Sequence, residues 1–301
     1  MIWDYFVFLA SDASLQEQLD PPEGLAMGFM DEVSLRFCQG NKETARQRYI
    51  GKAKGSISLP GGIIQTSPNF SSLPVDSWLG LQIDFELLTP WYSKDDRVFH
   101  VLDNPVHKDR VFGVPFMAAS SWKGMLRWAC RMQAGLREHL ERNGNRMEAW
   151  RDPDWILHLF GNEKGAKKDL RQGALVFYPT WFDRIGFEVI NPHSRERRAG
   201  TQPIYYEVVP PGAKGTLSLL YAPWPGMKPS ANPAEVLPKL LEAIEDLLRT
   251  YGISAKRTVG WGTAEIKKWR AFHKTHGSVE KDIRAELWRE VQNWLAGGGT
   301  P

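Results

Sequence analysis

Leu81-Gln82-Ile83-Asp84-Phe85-Glu86-Leu87 alternates apolar and polar side chains without a break. A period of two puts one set on each side of an extended chain, so the segment reads as a strand with one buried face. The next regular stretch has a different period. Across 121–142, Trp122, Met125, Leu126, Ala129, Leu136 and Leu140 fall on one side at helical spacing, and Ser120 or Ser121 is the expected N-cap. Further on, Ala174–Tyr178, Ile204–Val209 and Thr216–Tyr221 read as strands. Residues 234–251 carry a second apolar helix face through Val236, Leu237, Leu240, Leu241, Ile244, Leu247 and Leu248. A strand near 262–268 follows a Gly-containing loop, and a helix over 279–295 closes the chain on Ile283, Leu287, Trp288, Val291 and Leu295.

From 81 to 268 the order is therefore β, α, β, β with an extra strand, α, β. This predicts an α+β fold of the ferredoxin-like or RRM-like kind, with two helices covering one face of an antiparallel sheet. The open face of such a sheet is a common platform for single-stranded RNA. Three segments follow: an N-terminal extension over 1–78, an RRM-like domain with insertions over 79–270, and a C-terminal helical piece over 271–301. The extension holds an apolar run at 5–9, a predicted helix near 29–50, and a Gly-, Ser- and Pro-rich loop or linker at 51–77.

A length of 301 residues suits one elaborated domain or two small ones, and 42% hydrophobic with 24% charged residues excludes general disorder. Thirteen Trp, 14 Phe and 8 Tyr offer many flat apolar faces, most of them destined for the core and some available for stacking on bases. A net charge of +3 permits an RNA partner without arguing for one. Cys38 and Cys130 stand far apart, which excludes a Cys-rich zinc site. Residues 1–4 lack the basic start of a signal peptide, and no apolar run reaches the ~18 residues of a membrane span. A soluble, cytoplasmic protein with no membrane partner is expected.

The segment richest in chemistry is Asp103-Asn104-Pro105-Val106-His107-Lys108-Asp109, then Gly113-Val114-Pro115, then Ser120-Ser121-Trp122-Lys123-Gly124-Met125-Leu126-Arg127. Its last part is a helix N-terminus with small residues and two cations. Hydroxyls, backbone N–H groups and the helix dipole favour a phosphate there. Lys123 and Arg127, four apart, share a helix face. The plainer reading is a capped helix with solvated charges.

This segment resembles the signature of the RAMP superfamily of CRISPR-associated proteins: a strand, an Asp-x-Pro-Val-x-x-Asp loop, a proline, and Ser-Ser-x-Lys-Gly-x-Leu-Arg opening a helix. Ala118-Ala119 stands where members often have Pro-Gly. Leu159-Phe160-Gly161 with Gly173-Ala174-Leu175-Val176-Phe177, then Tyr206–Ala213, then Arg257-Thr258-Val259-Gly260-Trp261-Gly262 resemble three further family pieces in the family's order. Gly24–Asp31 faintly resembles the N-terminal helical part of the terminal backbone subunit of Cmr-type complexes. The resemblance implies a backbone-type subunit of a type III, Cmr/Csm-like effector complex in antiviral defence. Its partners would be CRISPR guide RNA, target RNA and other effector subunits, with a thumb-like hairpin inserted between bases.

The resemblance also implies that Asp103 is the candidate catalytic carboxylate for cutting target RNA. A carboxylate of ordinary pKa, about 3.9, is a weak base toward a ribose hydroxyl, so a divalent metal or a distorted RNA backbone would have to assist it. No stably bound cofactor is expected. His107, Lys108 and Arg110 are candidates to stabilise phosphate charge, beside Ser120, Ser121, Trp122, Lys123, Gly124 and Arg127. Arg195, Arg197 and Arg198 lie where the family has its thumb and are candidate phosphate contacts. Lys256, Arg257, Gly260 and Trp261 complete the RNA-binding set: glycine admits a close backbone, arginine binds phosphate and tryptophan stacks. Three alternatives stay open. One is a guide-processing endoribonuclease using His193 or His107. Another is a metal-dependent hydrolase built on Asp95, Asp96, His100, Asp103, His107 and Asp109, against which Asn104-Pro105 argues by breaking a helix. The third is a non-catalytic terminal subunit.

Overall fold

A computed structural model describes residues 42–57, 65–95, 100, 102–109, 112–162, 171–191 and 203–297. Helix α1 (Lys42–Ala53) leads into the two-residue strand β1 (Gly55–Ser56), and the alternating segment forms β2 (Leu79–Leu87). Then come β3 (Phe116–Met117), α2 (Ala119–Gln133), α3 (Leu136–Arg142) and α4 (Asp154–Phe160). Strands β4 (Leu175–Phe177) and β5 (Thr180–Trp181) precede a hairpin of β6 (Arg184–Ile190) and β7 (Ile204–Val208). Strand β8 (Lys214–Tyr221) and helix α5 (Pro233–Asp246) follow, the latter running into a π-turn at Leu247–Tyr251. A short 3-10 turn (Arg257–Val259), β9 (Ala264–His273), β10 (Gly277–Lys281) and α6 (Arg284–Gly297) complete the described chain.

The main sheet is antiparallel in the order β10-β9-β2-β8-β4. Taking β2, β4, β8 and β9 as first to fourth, their spatial order is fourth, first, third, second, the ferredoxin-like arrangement. Leu81, Ile83 and Phe85 of β2 meet Trp122 and Leu126 of α2, Leu240 and Ile244 of α5, and Leu287 and Val291 of α6 in one core. The α+β expectation holds, and its physical basis is the packing of one face of β2, Leu81, Ile83 and Phe85, against three apolar helix stripes.

Several local expectations need correction. The helix expected over 121–142 is two, because Gly135 adopts a left-handed φ of 96° that ends α2. Neither Ser120 nor Ser121 is the N-cap. Ala118 holds that position without a side-chain hydrogen bond, and both serines lie exposed in the first turn. The last helix starts at Arg284, not 279, because Gly277–Lys281 folds back on β9 in the register Val279↔Ala271 and Lys281↔Trp269. The boundary drawn after residue 270 thus cuts through a strand. The apolar run at 5–9 and the first part of the helix expected near 29–50 lie outside the described residues, and α1 covers the end of that helix.

Residues 65–78 have no regular structure, yet they are not a passive linker. Phe70, Leu73 and Trp78 pack with Leu220, Ala222, Tyr178 and Phe272. Gln82 donates its amide to the Pro68 carbonyl at 2.8 Å. Gly80 makes the contact feasible, since a Cβ there would sit 2.6 Å from the Phe70 ring. The loop therefore covers half of the sheet face that the sequence leaves open. The other half is charged: Asp84 accepts from Thr216 Oγ1 at 2.7 Å and pairs with Arg270, beside Lys214 and Lys268. Phe272 and Tyr178 are locked against Phe70, so among the described residues this face is not an aromatic stacking platform. No described helix is long and apolar enough to cross a membrane.

Candidate nucleic-acid interface

The register of the sheet gathers three distant segments at one end. Leu87 pairs with Ala264 and Glu86 with Lys214, so the chain leaving β2 and the chains entering β8 and β9 share a pole. The loop before β9 is stapled to the chain after β2. Trp91 Nε1 donates to the Ile253 carbonyl at 2.9 Å, and the buried Ser254 hydroxyl takes the Tyr92 N–H while donating to the Tyr92 carbonyl, both at 3.0 Å. Thr263 N–H donates to Thr89 Oγ1 at 2.9 Å. Gly262 has to be glycine: its φ is 88° and a Cβ would lie 2.4 Å from the Ser254 nitrogen.

Between these staples and α2 runs a groove of about 410 Å³. His107 enters it from the Asp-x-Pro-Val loop, Ser121 and Gly124 from the first turns of α2, and Arg257 from the loop before β9. The Arg257 guanidinium lies 4.4 Å above the Trp128 ring, a cation–π seat. Burial lowers its pKa, and among the described residues nothing accepts a hydrogen bond from its buried Nη1. Arginine stays charged under such a shift, so a partly desolvated cation, its buried Nη1 without an acceptor among the described residues, lines the groove. The His107 ring packs 4.7 Å from Phe116, which stacks at 5.0 Å on Trp181. A Cβ at Gly124 would meet nothing within 4 Å, so the α2 backbone is open to a ligand there.

The model of the RAMP superfamily matches residues 84–265, which contain every one of these groove residues. The chain belongs to the RAMP superfamily. No curated protein sequence matches it. A cryo-electron-microscopy structure of the type III-B Cmr-beta complex bound to cognate target RNA contains a chain with TM-score 0.45 and 17% identity, covering 66% of this chain and 62% of that one. A crystal structure of the Csm3–Csm4 subcomplex of the type III-A CRISPR-Cas interference complex contains one with TM-score 0.42 and 18% identity, covering 73% and 98%.

The RAMP motif residues divide into surface and scaffold. Ser120, Ser121 and Gly124 are exposed, and Lys123 is half-buried, its pKa lowered first by burial and then by the charge of Arg127. Trp122 is no stacking surface: it is wholly buried and donates its indole N–H to Thr180 Oγ1 at 2.9 Å. Arg127, expected on one helix face with Lys123, is engaged within the fold. It is buried on Asp152, whose carboxylate also takes Arg131 at 2.6 Å and Trp150 at 2.8 Å. Burial acts to raise the Asp152 pKa, and these hydrogen bonds outweigh it, holding the carboxyl below its usual range.

Lys108 is corrected in the same way. Its ammonium lies 2.7 Å from both oxygens of Glu207, with side-chain exposures of 2% and 0%, and 2.9 Å from the Tyr49 hydroxyl. Glu207 also accepts from the Val106 N–H at 3.1 Å, so the pair ties the Asp-x-Pro-Val loop to β7. Asp103 is 63% exposed at the tip of that loop, where Arg46 of α1 pairs with it at 3.2 Å. Lys256 lies 4.6 Å over the Tyr206 ring, Trp261 packs edge-on against the same ring at 5.8 Å, and Gly260 ends the 3-10 turn with φ 83°. Arg110, Arg195, Arg197 and Arg198 lie outside the described residues. Among the described residues no three His, Cys, Asp or Glu side chains gather in a group that could hold a metal ion.

Trp128 and Phe116 are two of the groove residues that the motif reading misses. Trp128 had a signal: Ser121, Gly124 or Met125, and Trp128 repeat at three and four along α2 and so form one stripe. Phe116 had none, because its place depends on pairing with Trp181 across β3 and β5.

Proposed function

We propose that the chain is an RNA-binding subunit of a type III CRISPR effector ribonucleoprotein, holding guide and target RNA at the groove between α2 and the loop before β9. The observation that carries this reading is the convergence of His107, Ser121, Gly124 and Arg257, from three RAMP motifs up to 150 positions apart in sequence, on one groove. A phosphate at the groove would meet the Arg257 fork, the Ser121 hydroxyl and the positive end of the α2 dipole. Trp128 and Phe116 provide apolar walls for sugar or base.

The test is filter binding of a single-stranded RNA to the full chain at several salt concentrations. Arg257→Ala weakens binding and lowers the salt slope by about one phosphate. Binding that ignores this change, or a chain that ignores oligoribonucleotides at low salt, refutes the reading.

Exposure of Asp103 favours a second, finer reading, in which the subunit cuts target RNA. Arg46 would fix the carboxylate beside a strand whose backbone the groove has bent into line. In a reconstituted complex, Asp103→Ala then abolishes one target cut with assembly intact. Unchanged cutting assigns the subunit a purely structural role.

A further inference from the structure

The opposite pole of the sheet carries a second arrangement that the groove does not use. There Leu79 pairs with Tyr221 and His273, and Leu175 pairs with Tyr221, so the turn after β8 and the chain entering β4 lie at the far end of β2 from the groove. Eight residue steps of strand separate the two ends by roughly 26 Å.

Trp224 stands on that turn with 60% of its surface exposed, and it is the one exposed aromatic among the described residues. The turn is closed by the Met227 N–H donating to the Trp224 carbonyl at 3.1 Å. Two residues further, the Pro229 carbonyl is fixed by the buried His158 ring at 3.0 Å, so the indole is presented by a rigid base. A groove of about 620 Å³ runs beside it, bounded by Arg171, Gln172 and Lys228, with no acidic residue among the described residues that line it.

The glycine pair of the motif at 160–177 explains how Arg171 comes to be there. Gly161 has φ 75°, and a Cβ on it would lie 2.3 Å from the Arg171 carbonyl. A Cβ on Gly173 would lie 2.4 Å from the Phe160 carbonyl carbon. Only glycines allow the end of α4 and the start of β4 to cross so closely, and the crossing is closed by Asn162, which donates its N–H to the Arg171 carbonyl at 3.1 Å and accepts the Arg171 N–H at 2.7 Å.

From an exposed indole that shares a groove with two cations and, among the described residues, no counter-charge, we infer that this pole is a second contact site for single-stranded RNA. One base stacks on Trp224, and Arg171 and Lys228 take flanking phosphates. Stacking on an indole is indifferent to sequence, and the two cations supply the backbone term. The site goes beyond the proposed groove and is independent of it. A protein partner is the competing occupant, and the pair of cations with no acidic residue among the described lining residues argues for a polyanion.

The test uses the full chain and a 30-nucleotide single-stranded RNA carrying 5-iodouridine. Irradiation is expected to crosslink the RNA to Trp224 in the wild type and in Arg257→Ala alike. Trp224→Ala weakens binding about tenfold, Trp224→Phe retains most of it, and Arg171→Ala with Lys228→Ala lowers the salt slope by about two phosphates. Melting of Trp224→Ala at the wild-type temperature verifies that the exposed site was changed without loss of fold. The inference is overturned if no crosslink reaches Trp224 and Trp224→Ala binds RNA as the wild type does. It is equally overturned if that variant loses a protein partner while RNA affinity holds. Loss confined to Arg257→Ala would leave the groove standing and remove only this site.

Discussion

The Asp-x-Pro-Val loop and the loop before β9 each bring one cation inside the protein, and the two cations are treated in opposite ways. Lys108 meets a buried carboxylate at 2.7 Å and a tyrosine hydroxyl, so its charge is consumed by the fold. Arg257 is laid on an indole, desolvated, and left with a donor that no described residue accepts. A buried cation with a buried partner is structural. One that lines a groove with a donor no described residue accepts is, under the proposed function, the cation available to a phosphate.

The largest effect that would sharpen this contrast is on stability. Lys108→Ala leaves Glu207 buried without its counter-charge and should cost about 3–5 kcal/mol, read from the urea midpoint. Arg257→Ala should leave that midpoint nearly unchanged. A large loss from Arg257→Ala and none from Lys108→Ala would break the comparison.

On RNA affinity the order reverses. Hydrogen bonds to a charged donor contribute about 1.5–3 kcal/mol, so Arg257→Ala should weaken binding at least tenfold in filter assays. Arg257→Lys should recover little, because an ammonium neither stacks flat on Trp128 nor offers a planar fork.

Acid supplies a third probe. Burial acts to raise the Glu207 pKa, and the charges of Lys108 and His100 with hydrogen bonds from Lys108 and Tyr49 outweigh it, so the folded pKa lies below the ordinary value. A carboxyl depressed on folding gives stability that is complete above its unfolded pKa, about 4.3, and is lost as pH falls through the folded value. Asp152 has the same sign. Unfolding midpoints should therefore drop steeply below about pH 4 in the wild type and less steeply in Lys108→Ala, whose Glu207 is no longer depressed.

The smallest expected effect separates groove from scaffold on one helix. Gly124→Ala meets no neighbour within 4 Å and replaces glycine with the best helix former, which should stabilise α2 by about 0.8–1 kcal/mol. Its methyl group projects toward the groove, so thermal stability should rise while RNA affinity falls. A rise in both would mean that RNA does not approach Gly124.

How much of this was legible in the sequence varies with the range of the interaction involved. Alternation in 81–87 and the apolar stripes in 121–142 and 234–251 pointed to the strand and the helices, because burial on one face imposes a period on the chain, although the first stripe hid the break at Gly135. The same logic missed β10, five residues with only Val279 apolar inside the strand, which exists because β9 offers it an edge. It also misread 51–77: a stretch rich in Gly, Ser and Pro has no period, yet Phe70 and Leu73 are held by a sheet face that Tyr178, Leu220, Ala222 and Phe272 bring from far along the chain.

The candidate site divides in the same manner. Which residue types the motifs carry, and that Ser121, Gly124 and Trp128 lie along one helix stripe, are local facts of sequence and spacing. Whether Trp122, Arg127 and Lys108 face solvent or the interior was decided by Thr180, Asp152 and Glu207, partners 58, 25 and 99 positions distant. Periodicity reports a side chain's direction relative to its own element. Only packing reports what stands in that direction, and for a cation that is the difference between a brace and a binding group.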